Sequence, residues 1–136
     1  MVGKTHIAVG VTLCTAISGL NPAGMAVAAI ASKLPDIDLA FKHRGPVHSL
    51  LVAGLVLLGT SRYFPNLVFP VAAGYLSHIF LDALTPAGVS LFWPFYKKRV
   101  GVSAVYTGGI GDSFCRWTAL VFLVFLLARK AAETIL

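Results

Sequence analysis

The chain reads as an all-α integral membrane protein, a single membrane-embedded domain over residues 1–136. Three observations predict this. Hydrophobic residues make up 57% of the chain and charged ones 12%, with a mean hydropathy of +0.84, more apolar surface than a water-soluble domain of this size can bury. About five apolar stretches are separated by Pro, Gly and Asn breakers. The 11 Lys and Arg residues stand singly or in short clusters at the ends of those stretches, as cations do when they anchor helices at the headgroups. That scatter also argues against a nucleic-acid partner, despite a net charge of +6.

The first segment covers about 5–20 and stops at Asn21-Pro22. It leads into no small-x-small cleavage site, so it reads as a membrane segment and not as a cleaved signal. The second, about 23–34, is Ala-rich and stops at Pro35. At 1.5 Å per residue it is about 18 Å long, too short to span, which predicts a bent or re-entrant hairpin with the first. The third runs from Pro46 to about Tyr63, with Gly45-Pro46 as its turn and start signal. The fourth runs from about Pro65 to Leu84 and ends at Thr85-Pro86-Ala87-Gly88; the fifth covers about 114–130. These last three are roughly 25–30 Å long, enough to cross a bilayer. Residues 89–112 form a polar loop or short hairpin, with Val100–Thr107 a candidate strand pair and Trp93, Phe95, Tyr96 and Lys97-Lys98-Arg99 suited to the interface. Cys14 and Cys115 lack CxxC spacing and read as structural residues in or beside apolar segments.

Following the segment ends puts the start of one, the end of two, the start of three, the end of four and the start of five on one side. That side holds Lys4, Lys33, Lys42, Arg44, Lys97, Lys98, Arg99 and Arg116, whereas the other holds Arg62, Arg129 and Lys130. The bias makes the first side cytoplasmic. His6, Asp36, Asp38, His43, His48, His78 and Asp82 all fall on it. If residues 5–34 formed one straight helix, His6 and Asp36 would lie a membrane apart, so the clustering itself favours the hairpin.

Taken alone, His6 reads first as an interfacial polar residue near a terminus, and Asp36 and Asp38 are equally loop acids. His78 and Asp82 are harder to explain as incidental, because they lie four residues apart on one helical face inside GYLSHIFLDAL. Asp82 faces the negative end of the helix dipole, and a carboxylate within a membrane segment costs about 3 kcal/mol or more unless paired. A bound cation offsets both penalties, although a histidine hydrogen-bonded to the aspartate would also do so. Histidine and carboxylate ligands suit zinc, manganese or iron.

The stretches THIAVG, LPDIDLAFKHRGPVHSL, GYLSHIFLDALTPAGVSLFWPF and TGGIGD, in order from residue 5 to 112, resemble the YdjM family of bacterial membrane-bound proteins. The resemblance implies a metal-dependent hydrolase of the inner membrane. The order His, Asp, His, HxxxD is also similar to that of zinc-dependent phospholipase C and of single-strand nucleases. By that comparison the metal ligands are His6, Asp36, Asp38, His48, His78 and Asp82. No histidine follows His78, so the further ligands of those enzymes' three-metal clusters are missing.

One catalytic zinc needs three protein ligands and an open water position, so this many candidates allow one or two ions. Asp38 is a candidate base or ligand, and Arg44 a candidate clamp for a phosphate or else an interfacial anchor. Ser49, Ser77 and Thr85 are candidates for orienting the ligands, and Asp112 for a general base or a turn residue. GxSxG, P-loop and Cys/His nucleophile patterns are absent from the sequence. The expected activity is hydrolysis of a lipid phosphoester at the membrane surface by a metal-activated water. The expected partners are membrane lipids, and the oligomeric state is open. Two alternatives stand beside it: a non-catalytic metal-binding protein, either transport subunit or sensor, and a structural protein whose polar cluster staples its helices. The segment middles carry no ionisable groups, which weighs against transport.

Overall fold

A computed structural model describes residues 1–40 and 45–135, with side chains at all of these except 38–40 and 135. Five α-helices account for most of it: α1 (Gly3–Ser18), α2 (Pro22–Ala31), α3 (Leu50–Tyr63), α4 (Val68–Ala83) and α5 (Ile110–Ile135). Single 3-10 turns occupy Leu34–Ala40, Pro46–His48 and Pro65–Leu67. The breakers act as their chemistry requires. Asn21 caps α2 by accepting from Ala23 N at 3.1 Å, with Pro22 at the first helical position, and Ser49 caps α3 through Val52 N at 3.2 Å.

Helices α1 and α2 form an antiparallel hairpin that returns the end of α2 to the start of α1. Two glycines let it close tightly on α4. A Cβ on Gly10 would meet Ser32 Oγ at 2.1 Å, and one on Gly74 would meet the Ala28 carbonyl at 2.3 Å. Helix α1 is central, packing against α2, α4 and α5, while α3 packs on α4. The apolar core is small and lies where α3 meets α4: Ala53, Tyr75 and Ile79 with Val89 of the following loop.

The expected segment lengths need correction. The proline-led starts of segments three and four are 3-10 turns, which leaves α3 with 14 residues and α4 with 16. Among the described residues one helix, Ile110–Thr134, is long and apolar enough to cross a membrane; α3 is apolar but shorter. Of the three segments expected to be long enough to span, the helices bear out the fifth alone, and about five hydrophobic segments are not what they show. Nor does a strand pair form in Val100–Thr107. The antiparallel pairing there is one isolated bridge, Val89 with Val100. The backbone instead turns to the C-terminal end of α4, where Val102 N donates to the Ala83 carbonyl at 2.9 Å and Ala104 N to the Leu84 carbonyl at 2.9 Å. Carbonyls left over at a helix end are thereby satisfied.

The distribution of polarity is inverted. Thr5, His6, His48, His78, Asp82, Thr85 and Asp112 are buried, whereas Leu58, Val121, Val124 and Phe125 are exposed. Such a surface suits lipid as solvent.

Candidate metal centre

His78 projects from the last turns of α4 and is fully buried. Its Nδ1 lies 2.7 Å from the Ser32 carbonyl at the end of α2. A carbonyl only accepts, so Nδ1 carries the proton and Nε2 presents a lone pair. Around that lone pair lie His48 Nε2 at 3.3 Å, Asp36 Oδ1 at 3.5 Å and Asp82 Oδ2 at 3.7 Å. His6 stacks on the His78 ring with centroids 3.8 Å apart, and its Nε2 lies 3.3 Å from Asp82 Oδ1. Two sets of potential ligand atoms result, His6–His78–Asp82 and Asp36–His48–His78, each within 4.8 Å and both using His78.

The local folding explains the convergence. The four-residue spacing puts His78 and Asp82 on one face of α4. The α1–α2 hairpin brings His6 and Asp36 to that face, and the Pro46–His48 turn delivers His48 just before Ser49 starts α3. Tyr75 fixes this turn by donating its hydroxyl to the Val47 carbonyl at 2.6 Å.

The donor set fits a divalent cation. Three imidazoles and two carboxylates carry two negative charges when the rings are neutral, and four of the five groups are almost fully buried. The Met1 ammonium is seated on Asp82 Oδ1, so the carboxylate already attracts a cation from within the chain. His6 Nδ1 is buried without a hydrogen-bond partner among the described residues. Asp36 is the most open member, its side chain 16% exposed, and it pairs with Lys33 at 2.7 Å. Its partial burial opposes ionisation, but the Lys33 hydrogen bond and the neighbouring His78 hold its carboxyl below the usual carboxylate range.

Of the six ligand candidates, His6, Asp36, His48, His78 and Asp82 are brought together. The Asp38 side chain, His43 and Arg44 lie outside the described residues. Three of the orienting candidates have other contacts. Ser49 is a helix cap, Ser77 Oγ donates to the Gly74 carbonyl at 3.0 Å, and Thr85 Oγ1 donates to the Asp82 carbonyl at 2.7 Å. The orienting group on His78 is instead the Ser32 carbonyl, a backbone atom that side-chain patterns do not mark.

Asp112 is a helix residue and not a turn residue. It sits fully buried in the first turn of α5 and accepts from Thr5 Oγ1 at 2.5 Å, Gly108 N at 2.7 Å and Val2 N at 2.9 Å.

Comparisons with known proteins find relatives of this chain. The chain is 34% identical to the uncharacterized protein YvsG of Bacillus subtilis, matching 69% of this chain and 74% of that protein. It is 48% identical to the inner membrane protein YdjM of Escherichia coli and to that of Shigella flexneri, each match covering 66% of this chain. The chain spans about half the length of those two relatives, 50% in each case. No solved structure matches it. The model of the YdjM inner membrane protein family matches residues 1–135, and the chain belongs to that family.

Proposed function

We propose that this membrane protein holds one divalent transition-metal ion, preferentially zinc, between His6, Asp36, His48, His78 and Asp82, and hydrolyses a lipid phosphoester with it. The observation that carries the reading is that both potential ligand sets share His78, whose Nε2 faces His48, Asp36 and Asp82. A single lone pair serves one ion, and Nδ1 is committed to Ser32, so one ion is favoured over two. A cation held there would act as a Lewis acid and lower the pKa of a bound water to about 7.

The chain's own residues have distinct tasks. His78 and His6 are locked by stacking and by the Ser32 carbonyl, so they hold their direction. Asp36, at the more open edge, lines the approach for a substrate, with Lys33 beside it to attract an anionic oxygen. On sequence grounds Asp38 remains the candidate base and Arg44 the candidate phosphate clamp. Substrates from the bilayer are the natural class for a family of inner membrane proteins, and the cation bias supports a cytoplasmic site. The likeness to zinc-dependent phospholipase C rests on ligand order alone.

One observation favours a second reading. His6, His48, His78 and Asp82 are at most 3% exposed, as in a closed, non-catalytic metal site of a sensor or transport subunit. A turnover screen separates the two. Metal-loaded protein in liposomes is offered phospholipids and polyprenyl phosphates, with Asp82→Ala as blank. Turnover above the blank that chelation abolishes supports the hydrolase; metal retention without turnover on any substrate supports the closed site.

A further inference from the structure

Helices α1 and α5 run parallel from the face that carries the metal centre. Thr5 meets Asp112 at that face, and seven residues deeper in both helices Thr12 Oγ1 donates to the Ala119 carbonyl at 3.1 Å. Between them lies a groove of about 350 Å³, lined by Lys4, Ile7 and Ala8 from α1 and Arg116, Trp117 and Leu120 from α5. We propose that this groove binds one anionic phospholipid, its phosphate between Lys4 and Arg116 and an acyl chain over Ile7, Ala8 and Leu120.

Charge and geometry both point to this occupant. Two cations from different helices converge on one groove, and neither has an acidic partner among the described residues. By the parallel register, Arg116 lies more than one turn deeper than Lys4. Its guanidinium reaches back to within 3.5 Å of Ser113 Oγ, toward the face and toward Lys4. That posture brings a long cationic side chain up to headgroup level. Trp117, 62% exposed, adds an amphipathic ring at the same depth. Below the cations the lining is wholly apolar, one helical turn further in on each helix. Only 6% of the apolar window of α5 is buried, which leaves its apolar side chains open to lipid. The volume lies within the range of roughly 300–1,000 Å³ typical of ligand sites.

The groove is separate from the metal centre. Lys4 and His6 are two residues apart on a helix and so face nearly opposite ways; Lys4 is exposed and His6 is buried. The inference therefore stands whether or not the metal reading does.

Native mass spectrometry of protein exchanged into mixed phosphatidylglycerol and phosphatidylcholine is the test. Two cations near a lipid phosphate predict a preference of roughly tenfold or more for phosphatidylglycerol. Lys4→Gln/Arg116→Gln should abolish it with metal content unchanged, while Lys97→Gln/Lys98→Gln should keep it. Equal retention of both lipids by the unaltered protein overturns the proposal, as does loss of preference only in the Lys97/Lys98 variant. If the Lys4/Arg116 variant does not fold, quenching of Trp117 in a Trp93→Phe protein decides the matter. Brominated phosphatidylglycerol should quench more strongly than brominated phosphatidylcholine, and equal quenching overturns the site.

Discussion

Asp112 accepts the Thr5 hydroxyl at 2.5 Å, and this contact joins the first turn of α5 to the residue that precedes His6. The same carboxylate takes the Val2 and Gly108 amides, so it fixes the entry to α1 and the entry to α5 together. Asp112→Ala should leave the buried Thr5 hydroxyl without an acceptor, at about 1–3 kcal/mol, and remove the tie that the half-buried Val2 and exposed Gly108 amides share. The expected outcome is a large drop in thermal stability. Thr5→Val should cost less, about 1 kcal/mol, and should also shift the visible spectrum of cobalt-loaded protein, because His6 loses its anchor. An unshifted spectrum would reduce the contact to a purely structural one.

Metal stoichiometry follows from the shared imidazole. Purified protein should carry about one ion per chain by elemental analysis, because both ligand sets share His78 and its Nδ1 is taken by the Ser32 carbonyl. His78→Ala and Asp82→Ala should each remove it and destabilise the fold by about 3–5 kcal/mol through the buried charges left unpaired. Two ions per chain would require His78 to serve only one set.

Gly74 separates α4 from α2 by no more than backbone contact. Gly74→Ala would drive a methyl to 2.3 Å from the Ala28 carbonyl, so the helices must part. A loss of about 1–3 kcal/mol in detergent unfolding is expected. Gly54 of α3 has open space at the corresponding point, and Gly54→Ala should be neutral or slightly stabilising there.

Orientation can be read chemically. In a background lacking Cys14 and Cys115, single cysteines at Lys97 and at Arg62 should react with an impermeant thiol reagent from opposite sides. The loop at Lys97 lies at the metal-centre end and Arg62 in the last turn of α3. Labelling from the same side would remove the two-faced arrangement.

How much of this was legible in the sequence depends on the range of the interaction. His78 and Asp82 could be paired from their spacing, and the breakers at Asn21-Pro22, Pro35 and Gly45-Pro46 marked where the chain turns. Those ends in turn predicted that His6, Asp36 and His48 share the face of His78. Helix lengths were less legible, because proline at a helix start does not say whether the first turn is α or 3-10. Helix α5 starts before the expected 114, because Gly108 and Gly109 hide that Ile110-Gly111-Asp112 is already helical. The partners of Asp112 and of His78 Nδ1 were not legible at all. Both are set by tertiary packing, the first across 107 positions of sequence and the second by a main-chain carbonyl.

The centre draws its side chains from α1, the Leu34–Ala40 turn, the Pro46–His48 turn and α4. No single piece supplies more than two of the ligands, so a chain without the shared cation would leave four elements unlinked at this point and open to quality-control proteases. Cellular abundance of the protein should then track metal supply, with scarcity read out as turnover before any change in synthesis.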